Sequence, residues 1–237
     1  MKKESQIVAA GFDMEATLVD GTEPLHAQAY MEGARFAGVE CKDVVQAIET
    51  LQFIGGSDER VAQRIVELSE GKANYEAVLG VIQDTYDKLF QQTESITPIP
   101  WVEYQLDQMQ RWGVDLCMQT GTPMQYIDKI TDLSGLNKWF TRERMVLPCD
   151  VKNGKPSPEP IIEVANRLDV PPERLMFFGD APKDMQAARA AKAKAIGIPY
   201  YKLACAIIPL FRAGANRVYA SWFQVEVNEL IANFDSL

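Results

Sequence analysis

The sequence predicts an α/β fold: a parallel sheet core with helices on both faces, interrupted after its first strand by an all-helical insertion. Three observations carry this. Short apolar runs alternate with helical periodicity from about residue 100 to the C-terminus, the pattern of a parallel sheet. A further short apolar run stands alone near the N-terminus. Between the two, from Pro24 to Thr97, apolar residues recur only at three- and four-residue spacing, which is helical.

In chain order, Ile7 to Phe12 reads as a buried strand that delivers Asp13 at its C-terminal tip. The helical block follows, with Ala29, Gly33, Phe36 and Ala37, then Val61, Ile65 and Leu68, then Val78, Ile82, Tyr86 and Leu89 on its apolar faces. Thr97-Pro-Ile-Pro100 reads as a break. Beyond it come helix Val102 to Trp112, strand Val114 to Gln119, helix Pro123 to Leu133 and strand Met145 to Leu147. Helix Pro158 to Leu168, strand Leu175 to Phe178, helix Lys183 to Lys192 and strand Ala195 to Ile198 continue the series. Val218-Tyr-Ala adds an edge strand and Phe223 to Phe234 a terminal helix. The domains expected are a core of residues 1–23 with 98–237 and a helical domain of residues 24–97.

With 47% hydrophobic and 24% charged residues in 237, the chain has the composition of a globular protein. Its 33 acidic side chains exceed 24 basic ones, a formal charge of −9. That is the wrong sign for neutralising nucleic-acid phosphates or anionic lipid. Apolar runs fall well short of the roughly 18 residues of a membrane span, and Glu4 follows Lys2 and Lys3 too soon for a secretory leader. A cytoplasmic protein, monomer or homodimer, is expected. Cys41, Cys117, Cys149 and Cys205 are scattered and the chain has a single histidine, His26, so free thiols are expected rather than a zinc site or disulfides.

Chemistry concentrates at strand ends. Asp13 and Glu15 follow the first strand, Thr120 the next, and Asp180 and Asp184 follow Phe177-Phe178-Gly179, while Lys155 lies in a loop. All C-terminal strand tips of a parallel sheet share one edge, so these residues can meet in one crevice. Taken singly, an Asp or Thr after a strand caps the next helix. Taken together, several carboxylates with one lysine and one hydroxyl complement a divalent cation plus a phosphoryl group.

Phe12-Asp-Met-Glu-Ala-Thr-Leu-Val-Asp20 resembles the D-x-D-G-T-L-x-D motif of the haloacid dehalogenase superfamily. Met118-Gln-Thr120, Gly154-Lys-Pro-Ser-Pro-Glu-Pro160 and Gly179-Asp-Ala-Pro-Lys-Asp184 resemble the family's remaining motifs, in order. The helical insertion is similar to the cap of the branch that holds phosphoglycolate phosphatases and β-phosphoglucomutases. The resemblance implies a Rossmann-like core with a helical cap and a phosphatase acting on a small phosphorylated metabolite. It makes Asp13 the nucleophile that forms an aspartyl phosphate and Glu15 the acid/base. Thr120 with Gly121 and Lys155 would bind the phosphoryl group. Mg²⁺ would be held by Asp13, the backbone carbonyl of Glu15, Asp180 and Asp184. Phe53-Ile-Gly-Gly-Ser-Asp-Glu-Arg60 resembles the cap loop that meets substrate, with Ser57 and Arg60 as its candidate contacts.

Two departures stand out. Glu15 occupies a position usually aspartate, and Ala16 one usually glycine, where a positive φ would strain alanine. They keep open a phosphotransferase or mutase, and a weakly active or non-catalytic binding protein. Against a mutase, Ser57 is followed by Asp58 where β-phosphoglucomutases carry arginine, and residues 24–94 hold six basic against twelve acidic residues. Glu15 itself argues against dehalogenation, because haloacid dehalogenases lack that second acid.

Overall fold

A computed structural model describes residues 8–51, 57–201 and 203–237. Ile7 and the Phe53 to Gly56 stretch of the cap loop lie outside the described residues. The chain forms two compact units, one of Met1–Asp20 with Ile96–Leu237, the other Gly21–Ser95.

The first unit is built on a six-stranded sheet of β1 (Ala9–Asp13), β4 (Asp115–Gln119), β5 (Met145–Val146), β6 (Leu175–Gly179), β7 (Lys194–Gly197) and β8 (Arg217–Val218). Its order is β5-β4-β1-β6-β7-β8 and every pairing is parallel. The chain steps outward from β1 through β4 to β5, then crosses to the far side of β1 for β6. Strand order therefore reverses at β1, and a crevice opens beyond the C-terminal ends of β1, β4 and β6. Both faces are covered, so the central strands are continuously buried: all five residues of β1 and of β6 are inside. Phe12 stacks on Phe178 with ring centroids 5.2 Å apart, and Phe178 on Trp222 at 5.3 Å. Trp222 Nε1 donates to Thr17 O at 2.7 Å, and Gln105 Nε2 donates to Trp222 O at 3.0 Å. The buried amide and indole are thus both satisfied.

Helices α5 (Val102–Arg111), α6 (Met124–Ser134), α7 (Glu159–Arg167) and α8 (Pro182–Ala190) connect these strands. Among them α7 has Ile161, Val164 and Ala165 inside, a stripe at helical spacing that belongs to the cluster around Phe177 and Cys117. Burial pushes the Cys117 thiol up to about 12, so this cysteine is packing, not chemistry.

The second unit consists of α1 (Glu23–Phe36), α2 (Val44–Leu51), α3 (Asp58–Leu68) and α4 (Tyr75–Gln92). Val78, Ile82, Tyr86 and Phe90 repeat every four residues along α4 and are all buried. A Cβ added to Gly33 of α1 would lie 2.6 Å from Ile82 Cγ1, so glycine is what lets these helices approach. His26 stacks on Tyr86 with centroids 4.2 Å apart, and Tyr30 Oη donates to Asp58 Oδ1 at 2.9 Å.

The structure corrects three readings. Thr97–Pro98, expected as a plain break, is strand β3, antiparallel to β2 (Val19–Asp20); two residues a strand give no periodicity to detect. Helix α9 (Leu203–Arg212) was not expected at all, because Pro209 lies inside it and proline normally argues against a helix interior. The terminal helix is broken: only Val227–Ala232 is α-helix (α10), flanked by single 3₁₀ turns at Trp222–Gln224 and Phe234–Ser236.

One polar knot ties the segment leading to Lys155. The Asp150 carboxylate accepts from Arg142 Nη2 at 2.9 Å and Leu147 N at 2.8 Å, and pairs with Arg167 Nη2 at 3.0 Å. Partial burial would raise the Asp150 carboxyl, but these donors win and hold it below the usual carboxylate range. A depressed folded pKa stabilises the fold at pH values above that of the unfolded carboxyl, near 3.8, and the gain disappears as pH falls through the folded value. Asp150→Ala should therefore cost about 1–3 kcal/mol at pH 7, a deficit that shrinks in urea titrations below about pH 4. A deficit independent of pH would refute this origin.

Candidate active site

The crevice at the head of β1 receives its side chains from three neighbouring strands and one loop. Asp13 ends β1 and Asp180 follows β6 directly, while Asp184 lies in the first turn of α8. One carboxylate oxygen from each of the three lies within 4.8 Å of the others. Asp184 is wholly buried, and its Oδ2 accepts from Ala181 N at 2.9 Å. A Cβ on Gly179 would sit 2.5 Å from Asp184 Cβ, so only glycine lets the turn close far enough to bring Asp184 in.

Lys155 arrives on the loop between β5 and α7. Glu159, in the first turn of α7, folds that loop by accepting from Asn153 N and Asn153 Nδ2, both at 3.0 Å. Ser157 N returns to Gly154 O at 3.0 Å. The Lys155 ammonium is almost fully buried, hydrogen-bonded to Asp13 Oδ1, and 2.6 Å from Asp184 Oδ1. Burial pushes the Asp13 carboxyl up to about 6, with the charge of Asp184 adding to the rise and Lys155 opposing it. Burial also works against the Lys155 ammonium, yet the two carboxylates hold its pKa above the ordinary value. It stays a cation throughout the working pH range.

The donor set is all carboxylate oxygen, with neither sulfur nor imidazole, which fits a hard, oxygen-preferring divalent cation. Three carboxylates against one ammonium leave the cluster two charges short of neutrality when all are ionised.

Glu15 and Ala16 occupy the tight turn after β1. Leu18 N and Val19 N both donate to Met14 O, at 2.8 and 3.1 Å, and Ala16 N donates to Val19 O at 3.0 Å. Glu15 forms an isolated bridge with Val19. Ala16 has φ +57°, the left-handed region, which costs a residue with a Cβ roughly 1 kcal/mol. The strain anticipated for alanine here is present.

Thr120 is buried just beyond β4; its hydroxyl donates to Thr122 Oγ1 at 2.8 Å and accepts from Thr122 N at 3.0 Å. Gly121 follows with open space where a Cβ would stand. Ser57 and Arg60 belong to the second unit: Ser57 caps α3, its Oγ accepting from Arg60 N at 3.5 Å, and Arg60 is exposed. Two neighbours escaped the sequence reading. Thr17 is fully buried and donates from Oγ1 to Asp13 Oδ2 at 3.4 Å, and Thr122 orients the Thr120 hydroxyl. Thr17 stands inside the first motif, so its position was visible there; the role of Thr122 depends on a turn that spacing does not reveal.

Comparison with known proteins agrees with this architecture. Residues 7–192 match the family model of haloacid dehalogenase-like hydrolases. A phosphoglycolate phosphatase of Salmonella typhi is 27% identical over 222 residues, covering 84% of each chain. Among solved structures, a family IA haloacid dehalogenase hydrolase from Entamoeba histolytica superposes with TM-score 0.78 at 17% identity, covering 97% of this chain and 100% of that one. A β-phosphoglucomutase-like protein from Thermotoga maritima superposes with TM-score 0.67 at 26% identity over 98% and 100% of the two chains. With a family model matching residues 7–192, most of its length, the chain belongs to the haloacid dehalogenase-like hydrolases.

Proposed function

We propose that the protein is a magnesium-dependent phosphomonoesterase that hydrolyses a small phosphorylated metabolite through an aspartyl phosphate on Asp13. The observation that carries this is the buried Lys155 ammonium held between Asp13 and Asp184, with Asp180 completing the carboxylate cluster. A phosphatase of 27% identity supports the reaction class.

Lys155 presents a fixed positive charge to the phosphoryl oxygens and holds the Asp13 carboxylate by hydrogen bond, leaving its other oxygen for attack on phosphorus. As the Asp13–phosphorus bond forms, the ester oxygen departs and takes a proton from Glu15. Glu15, now a carboxylate, removes a proton from water, which attacks the same phosphorus, releasing inorganic phosphate and restoring Asp13. Thr120 and the Gly121 backbone bind the remaining phosphoryl oxygens. Asp13, the Glu15 carbonyl, Asp180 and Asp184 would hold a magnesium ion, which would supply the charge neutralisation a carboxylate needs to approach a phosphate anion. The helical unit is assigned the choice of substrate. Its Asp58 carboxylate, fixed by Tyr30, disfavours a second phosphate and with it a mutase.

Three measurements test this reading. Asp13→Asn should abolish turnover, because the near-isosteric carboxamide is no nucleophile; full activity would overturn the mechanism. Glu15→Gln, incubated with an aryl phosphate, should accumulate phosphorylated Asp13 by mass spectrometry and slow turnover by about 10²–10⁴-fold. The transferase reading instead has the wild type itself accumulate that species and pass it to an added sugar. For the metal, Asp180→Ala should weaken magnesium binding by at least about tenfold, read without substrate as the magnesium concentration that raises Tm. An unchanged midpoint would remove Asp180 from the ligand set.

A further inference from the structure

The first unit carries a second concavity, a groove of about 360 Å³ between α5, with Trp101 and Trp112 at its two ends, and the segment from Phe223 into the start of α10. Its walls include Trp101, Tyr104, Trp112 and Phe223, each half-exposed or more. Large aromatics at such exposure are poorly placed for a folding role, because the apolar surface they retain in water contributes nothing to burial. The rings meet at steep angles. Trp101 and Tyr104 are 5.9 Å apart at 88°, and Trp101 and Phe223 are 4.9 Å apart at 59°. They form a corner in which ring faces are not stacked away against one another.

Two further observations point to what the corner receives. Trp101 has φ +74°, a conformation that glycine adopts freely and a bulky residue only under strain. Its indole is thus held at the groove against a local backbone preference. The lining contains one charged side chain, Glu226, and neither lysine nor arginine. Glu226 is the N-cap residue of α10 but makes no capping hydrogen bond. Its carboxylate is therefore available at the rim, beside π-faces that are themselves negative. Both features attract positive charge, and the aromatic area requires that the cation also have an apolar surface.

We infer that this groove is a binding site for a small organic cation bearing an alkylated ammonium group, separate from the acidic crevice at the head of β1. The volume lies at the lower end of ordinary small-molecule sites, about 300–1,000 Å³. Gln105 keeps the groove in shape: its side chain on α5 hydrogen-bonds the Trp222 carbonyl, joining the two segments that contribute the rings.

The intrinsic fluorescence of the full chain reads the site, since Trp101 and Trp112 are exposed while Trp139 and Trp222 are buried. Titration with choline should change the emission with a Kd on the order of 1 mM. The neutral isostere, carrying a tert-butyl group in place of trimethylammonium, should bind about tenfold more weakly or not at all. Trp101→Gly should weaken choline binding by about fivefold or more while Tm holds or rises, because glycine relieves the strained φ. Glu226→Gln should weaken it by about two- to fivefold and flatten its salt dependence. Both variants should retain the hydrolase activity of the wild type, which checks their fold. The inference is overturned if the neutral isostere binds as well as choline, if Trp101→Gly binds choline unchanged, or if no emission change appears. It is also overturned if sedimentation shows the groove closed by a second copy of the chain.

Discussion

The site depends on one buried ammonium. Lys155 sits among Asp13 and Asp184 with almost no access to solvent, and removing a charge of either sign from water costs several kcal/mol per ion. Only the reciprocal pairing makes the arrangement tolerable, so each member must be placed by something rigid. The reversal of strand order at β1 puts Asp13 beside the tip of β6. Gly179 lets Asp184 in, Glu159 folds the lysine loop, and Asp150 anchors the segment before it. Much of the first unit can be read as the support for three charges. The cluster is still negative after pairing, because its three carboxylates face one ammonium when all are ionised. Under the proposed function a divalent cation would offset that residual charge: a phosphate meeting the carboxylates alone would be repelled.

How far the sequence disclosed this follows from the scale of each feature. The sheet was legible because its strands are buried on both faces and read as uninterrupted apolar runs, Leu175 to Phe178 being the clearest. Asp13, Thr120, Asp180 and Asp184 were legible as candidates because strand tips of a parallel sheet converge whatever the intervening chain does, and Lys155, on a loop, because of the Gly154-Lys-Pro motif that holds it. Short-range and long-range features were lost for opposite reasons. The β2–β3 pair is too short for a period of two to register, and Thr122 acts through a turn only three residues long. The aromatic groove joins residues near 101 with residues near 223, a juxtaposition created by Trp222 and Gln105 and encoded in no local pattern. Helix α9 was hidden by Pro209, whose cost in a helix interior is overridden where Leu210 of the same turn packs into the core.

Backbone strain separates the two proposed sites from the rest of the unit. Five residues other than glycine have positive φ among the described residues: Ala16, Glu70, Trp101, Asp169 and Lys192. Three are helix ends. Gly71 N bonds Val66 O, Val170 N bonds Ala165 O and Ala193 N bonds Ala188 O, so Glu70, Asp169 and Lys192 each close the last turn of α3, α7 or α8 in the left-handed conformation common at C-termini. Their cost is repaid on the spot by backbone carbonyls that would otherwise lack a donor. Ala16 and Trp101 end no helix. Ala16 belongs to the turn that follows Asp13 and carries Glu15, and Trp101 precedes α5 at the aromatic groove. Helix ends apart, a position that glycine would fill without strain is thus occupied by a larger side chain at two places among the described residues, the acidic crevice and the groove. Such strain persists where the surrounding structure gains something from it. At Ala16 that gain, under the proposed mechanism, is the placement of Glu15. At Trp101 it is an indole face turned outward beside a carboxylate.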